Sequence, residues 1–128
     1  MARDLRLLYA EDASDIRQVV ELALEGEGFE LKLCSSGQEA LDSAADFRPD
    51  VVLLDVMMPN MDGPTVLRHL REIAGLERTP VIFITARVQP KEVERFKALG
   101  AIDVIAKPFD PLTLGAQIRK IVQGERGV

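Results

Sequence analysis

The chain has no tryptophan, and only one tyrosine, one histidine and one cysteine among its 128 residues. A single cysteine, Cys34, excludes an internal disulfide framework and fits a reducing compartment, where it reads as a small buried apolar residue. A single histidine, His69, has no second His or vicinal Cys to share a metal with. It reads as a surface residue, not as a ligand or phosphoacceptor. No apolar run approaches the roughly 20 residues that a membrane helix needs. The opening stretch MARDLRLLYAED lacks a long apolar segment ending in a small-residue cleavage site, so the cytoplasm is the expected location. Positive charge is also in short supply: 16 Lys and Arg stand against 21 Asp and Glu, a net charge of −5. Neither nucleic acid nor a membrane surface is therefore an expected partner.

What the chain does have is rhythm. Short apolar runs recur at Leu7–Ala10, Leu31–Cys34, Val51–Leu54, Val81–Ile84 and Val104–Ala106. Each is too short for a core helix. Most are continuous, as strands of a parallel sheet covered on both faces should be. The second alternates through Lys32 and reads as an edge strand. Helical patterns separate the runs. Ile16, Val19, Val20, Ala23 and Leu24 lie on one helical face, with Ser14 as the expected N-cap and Gly26 as the stop. Ser36 and Glu39 form an S-x-x-E capping box ahead of Ala40, Leu41 and Ala44. Pro64 is placed to open a helix through Val66, Leu67, Leu70 and Ile73, closed by Gly75. Pro90 opens a shorter one with Val93, Phe96 and Leu99. Asp110-Pro111 starts the last, with Leu114, Ile118, Ile121 and Val122 facing inward, and a frayed tail follows from Gly124 to Gly127.

Strict strand–helix alternation predicts an α/β, doubly wound, flavodoxin-like (βα)₅ fold with a parallel five-stranded sheet in the order 2-1-3-4-5. One domain over residues 1–128 is expected, with an ordered core over about 4–123 and no output domain. In such sheets ligands sit at the carboxyl ends of the strands, near the switch point between strands 1 and 3. There the sequence places Glu11-Asp12 after strand 1, Asp55 after strand 3, Thr85 after strand 4 and Lys107-Pro108 after strand 5. Three carboxylates on one rim repel, by roughly 4 kcal/mol per pair at about 4 Å and an effective dielectric near 20. A divalent cation relieves this, and hard oxygen donors suit Mg²⁺, with Mn²⁺ as a substitute. Taken singly, Asp12 can start a helix, Glu11 can be a solvated acid and Asp55 an ordinary turn residue. Together they offer a carboxylate nucleophile towards an activated phosphoryl group, with an ammonium from Lys107 and a hydroxyl from Thr85 beside it. Pro108 permits a cis Lys107–Pro108 bond, which would aim the lysine inward.

The ordered set Glu11-Asp12, Asp55 within LLDVMMPNMDG, Thr85 within FITA, and Lys107-Pro108-Phe109 resembles the receiver domain of two-component response regulators. The resemblance runs over essentially the whole chain. It implies that Asp12 binds Mg²⁺ directly, Glu11 through water, and Asp55 as both ligand and phosphoacceptor, with the main-chain carbonyl of Met57 completing the set. It implies a phosphohistidine donor on a histidine kinase or phosphotransfer protein, with small acyl or amido phosphates as substitutes. It further implies a downstream protein target, and phosphorylation-dependent contact or homodimerisation through the helix 4–strand 5–helix 5 face. Met57 and Arg87 match positions that tune the access of water to the aspartyl phosphate. One position departs: an aromatic residue commonly stands three before the lysine, where this chain has Val104. A valine cannot follow the threonine with a ring, so a module with weakened switching is the alternative. A dehalogenase-like phosphatase would need an acid two residues after Asp55, where Met57 stands and can do no acid chemistry. A nucleotide or flavin carrier would need a glycine-rich phosphate loop, and none follows any strand.

Overall fold

The computed structural model describes residues 3–125. Five strands, β1 (Leu5–Ala10), β2 (Phe29–Cys34), β3 (Val51–Asp55), β4 (Val81–Thr85) and β5 (Asp103–Ala106), alternate with five helices. These are α1 (Ser14–Leu24), α2 (Gly37–Phe47), α3 (Gly63–Leu70), α4 (Pro90–Ala98) and α5 (Leu114–Glu125). All neighbouring strands pair in parallel, in the order β2-β1-β3-β4-β5. The expected fold class is the one found.

Successive side chains of a strand point to opposite faces, so each strand feeds two cores. Leu8 and Ala10, Val52 and Leu54, and Val81 and Phe83 pack under Ala40 and Ala44 of α2, Val66, Leu67 and Leu70 of α3, and Phe96 of α4. Leu7 and Tyr9, Val51 and Leu53, and Ile82 and Ile84 pack under Val20 and Leu24 of α1 and Leu114, Ile118 and Val122 of α5. Every residue of β3 and β4 is buried, which is why those runs read as continuous. β2, at one edge of the sheet, alternates between half-buried and exposed residues up to Leu33 and ends on the buried Cys34.

Element ends differ from the sequence reading in five places. Ser14 is the first helical residue of α1, and the cap position is Ala13, whose side chain has nothing to donate or accept. In the α2 capping box the Ser36 side chain accepts from Glu39 N at 3.1 Å. Glu39, however, reaches back to Ser35, accepting from its Oγ at 2.7 Å and its N at 3.2 Å. α3 stops at Leu70, and residues 71–75 continue as turns and a bend ending on Gly75 at φ +90°. α5 begins at Leu114 because Asp110 Oδ1 accepts from Leu112 N at 2.9 Å, which closes a turn in place of a first helical turn. The expected fraying at Gly124 and Glu125 is not found, since α5 runs through both; Arg126 and Gly127 lie outside the described residues.

Candidate functional site

The two-residue alternation of the strands decides which side chains meet at the rim. Glu11 continues the set Leu7, Tyr9 past the end of β1, and Asp55 continues Val51, Leu53 at the end of β3. Both therefore point to the α1/α5 side, on adjacent strands. Thr85 continues Val81, Phe83 and belongs to the α4 side. Lys107 follows β5, where its N–H donates to Thr85 O at 2.9 Å, and the Lys107–Pro108 peptide is cis.

The result is a compact charge cluster. Glu11, Asp12 and Asp55 present carboxylate oxygens that all lie within 4.8 Å of one another. The Lys107 ammonium sits between two of them, 2.9 Å from Glu11 Oε1 and 3.2 Å from Asp55 Oδ2. Asp55 Oδ1 accepts from Met57 N at 3.3 Å. Glu11 is 1% exposed and Asp55 3%, so Glu11 is not the solvated acid that it could have been when taken alone. Its Oε1 also faces the Tyr9 hydroxyl at 3.4 Å, and its Oε2 faces Ala13 N at 3.5 Å. Asp12 is exposed and forms the open side. Thr85 is buried, and its Oγ1 accepts from Arg87 N at 3.1 Å, leaving its proton to donate elsewhere.

Burial raises the Glu11 carboxyl above its ordinary range, and its hydrogen bond with Asp55 adds to this, while Lys107 pulls the other way. Burial alone would lower Lys107, but its hydrogen bond to Glu11 and the charge of Asp55 outweigh it, so the ammonium is held more firmly than usual. Burial likewise pushes the Tyr9 hydroxyl well above its ordinary value, with Glu11 and Asp55 adding to it. Two buried acids with one ammonium between them make a site that draws further positive charge.

The donor set fits a hard divalent cation. Direct oxygen ligands of Mg²⁺ stand about 2.1 Å from it, so two of them can be at most about 4.2 Å apart. Oxygens from three acids within 4.8 Å of one another are close to that limit, a donor set that one such cation can share directly or through water.

Two parts of the site were not singled out from sequence. Gly63, at the start of α3, packs on the backbone of Asp55: a Cβ there would lie 2.9 Å from Asp55 O and 3.1 Å from Val56 Cα. Its N–H donates to Val56 O at 3.1 Å. Arg17, in α1, donates through Nη1 to Glu11 O at 2.6 Å and Asp12 O at 3.0 Å. The helical spacing of α1 carries no sign of this, since Arg17 there looks like any polar-face residue. Of the remaining expected residues, the Met57 side chain is 76% exposed and Arg87 is exposed. Val104 is half-buried against the α2/α3/α4 core, opposite Phe83 in the sheet. His69 pairs with Glu72 at 3.2 Å on the surface of α3, away from this cluster. Cys34 is buried, and burial lifts its thiol to about 11.

A doubly wound sheet in this order, with three acids and a lysine gathered at the switch point, defines an α/β protein with a charged cluster at the carboxyl ends of its strands. Residues 7–119 match the model of the response regulator receiver domain, and the chain belongs to that family. It is 37% identical over 123 residues to the transcriptional regulatory protein CseB of Streptomyces coelicolor, covering 96% of this chain and 51% of that protein. It is also 37% identical over 114 residues to the DNA-binding response regulator MtrA of Mycobacterium tuberculosis, covering 89% and 49%. The chain thus spans about half the length of the curated relatives it matches. Among solved structures, the Vibrio cholerae chemotaxis protein CheY4 superposes with a TM-score of 0.86 at 32% identity, covering 92% of this chain and 98% of that one. The receiver domain of the Francisella response regulator 1452 gives 0.84 at 27%, covering 95% and 99%.

Proposed function

We propose that the chain is a phosphoacceptor switch of two-component signalling, in which Asp55 takes a phosphoryl group from a phosphohistidine on a histidine kinase or phosphotransfer protein. An Asp55 oxygen forms the new P–O bond as the P–N bond to the donor imidazole breaks, and the imidazole leaves with the bonding pair. The reaction is mostly positioning and charge neutralisation, which the residues at the rim are placed to do. Lys107 is the cation that stays with Asp55 and with the oxygens arriving on it. Thr85 has a free proton to donate to one of those oxygens once its own acceptor is taken by Arg87 N. Glu11, Asp12, Asp55 and the main-chain carbonyl of Met57 would hold Mg²⁺, which when bound neutralises charge on the transferred group. The chain turns over no substrate on this reading; it modifies itself, and the change alters its affinity for a protein target. Ile16 and Val19 of α1 line an apolar groove with Pro108 and Phe109 at Lys107, which gives a protein donor a surface beside Asp55.

The observation that carries this reading is the Lys107 ammonium within 3.2 Å of both buried acids. Intact-mass spectrometry after treatment with acetyl phosphate or phosphoramidate and Mg²⁺ tests it. One phosphoryl mass should appear in the wild type and be absent from Asp55→Asn; equal gain in both would refute it. A second reading, a receiver-like interaction module with weakened switching, rests on Val104. Beryllofluoride with Mg²⁺ separates the two. A change in sedimentation mass or in amide exchange along α4, β5 and α5 supports the switch, and an unchanged molecule supports the module.

A further inference from the structure

We infer that Arg17 is a positioning residue of the cation site: it holds the turn between β1 and α1 so that Glu11 and Asp12 face Asp55. The inference rests on reading the three acids as that site. Arg17 lies in the first turns of α1, half-buried, and one nitrogen, Nη1, donates to the carbonyls of both acids, at 2.6 Å to Glu11 and 3.0 Å to Asp12. Charge-assisted bonds of this kind are roughly twice as strong as neutral ones.

The turn needs such a fastening. Glu11 N is tied to Cys34 O at 3.0 Å, which fixes the end of β1. Beyond it, Ala13 occupies the cap of α1 with no side-chain bond, so the usual clamp at a helix entrance is missing. Asp12 is exposed, and the direction of its carboxylate follows from its own main chain. The carbonyls of residues 11 and 12 meeting one guanidinium nitrogen set that direction. The same positive charge also acts on Tyr9 of β1 and Glu39 of α2. Arg17 touches none of the reacting atoms; it acts through the backbone that bears the ligands, and outer partners of metal ligands typically matter by 10–100-fold in affinity.

The test is Mg²⁺ affinity by titration calorimetry, checked by the fluorescence of Tyr9. That residue is the only tyrosine in a chain without tryptophan, and its hydroxyl lies 3.4 Å from Glu11 Oε1. Arg17→Met keeps the aliphatic stem and loses the donor, and should weaken Mg²⁺ binding by about 10-fold. Arg17→Lys keeps a multivalent donor on one nitrogen and should recover most of that loss. Arg17→Leu, which also lacks a donor, takes the place of Arg17→Met, with the same expectation, should the methionine variant fail to fold. Wild-type affinity in Arg17→Met, or an equal loss in Met and Lys variants, overturns the inference while leaving the cation site standing. A wild-type protein that takes up no Mg²⁺ overturns the cation site itself, and this inference with it.

Discussion

Replacing Asp55 by Asn should stabilise the protein in the absence of divalent cations. The Glu11 carboxylate lies within 4.8 Å of that of Asp55, a repulsion of at least about 3.5 kcal/mol at an effective dielectric near 20. Lys107, 3.2 Å away, attracts Asp55 by about 5 kcal/mol on the same scale. These terms nearly offset each other, and Asp12, though screened, adds repulsion. The sign is then set by desolvation. A carboxylate that is 3% exposed loses several kcal/mol of hydration, whereas a neutral amide loses about 1–3 kcal/mol. Asn also keeps an oxygen for the N–H of Met57. A net gain of about 1–2 kcal/mol follows, or roughly 3–8 °C in melting temperature for a domain of this size. Differential scanning calorimetry in EDTA reads it directly. Adding Mg²⁺ at ten times its dissociation constant should raise the wild type by about 1.4 kcal/mol and the variant by less, so the two melts draw together. An Asp55→Asn protein that melts below the wild type in EDTA, or that gains as much from Mg²⁺, would refute this account of the cluster.

On the proposed function, a Met57→Asn, Arg87→Glu variant should lose a phosphoryl group from Asp55 faster in a radiolabel chase; an unchanged rate rejects a shielding role for the two side chains. Gly63→Ala should cost about 1–3 kcal/mol in urea unfolding, because its Cβ would meet backbone at 2.9 Å and overpacking there has no flexible neighbour to yield. Hydrogen bonds from Ser35 lower the Glu39 carboxyl below its ordinary value. Its contribution is therefore present above about pH 4.3 and is lost as pH falls through the lower folded value. Glu39 is partly solvated, so Glu39→Gln should cost only about 0.5 kcal/mol near neutral pH, with the gap to wild type closing in urea melts as pH falls below the ordinary carboxylate range. Cys34, with its thiol lifted to about 11 and buried, should react with a thiol reagent at neutral pH only after denaturant is added.

The fold was legible because its signals are local and repeated. The fully buried β3 and β4 had to be continuous apolar runs, and Lys32 marked the edge. The rim residues were legible for a related reason: a strand end is a position, and a parallel sheet brings such positions together. What the sequence did not disclose is long-range or backbone-mediated. The burial of Glu11 depends on Lys107, 96 residues away, and the need for glycine at position 63 depends on how closely α3 approaches Asp55 O. The later start of α5 reflects a competition between two local solutions, a helical turn and an Asp110 side-chain turn, that spacing alone does not decide. The Ser14 cap failed similarly, since a residue with the right chemistry stood one position too far along.

The parity of the strands has a consequence for how a message would cross the molecule. Glu11 and Asp55 belong to one layer of the laminate and Thr85 to the other, and the sheet between them is a wall of buried side chains. A group on Asp55 that reached the Thr85 hydroxyl would stitch the two layers at the single margin where no strand separates them. Whatever read the outcome could then sit on the opposite side of the molecule from whatever delivered it, so sender and receiver need not compete for one surface.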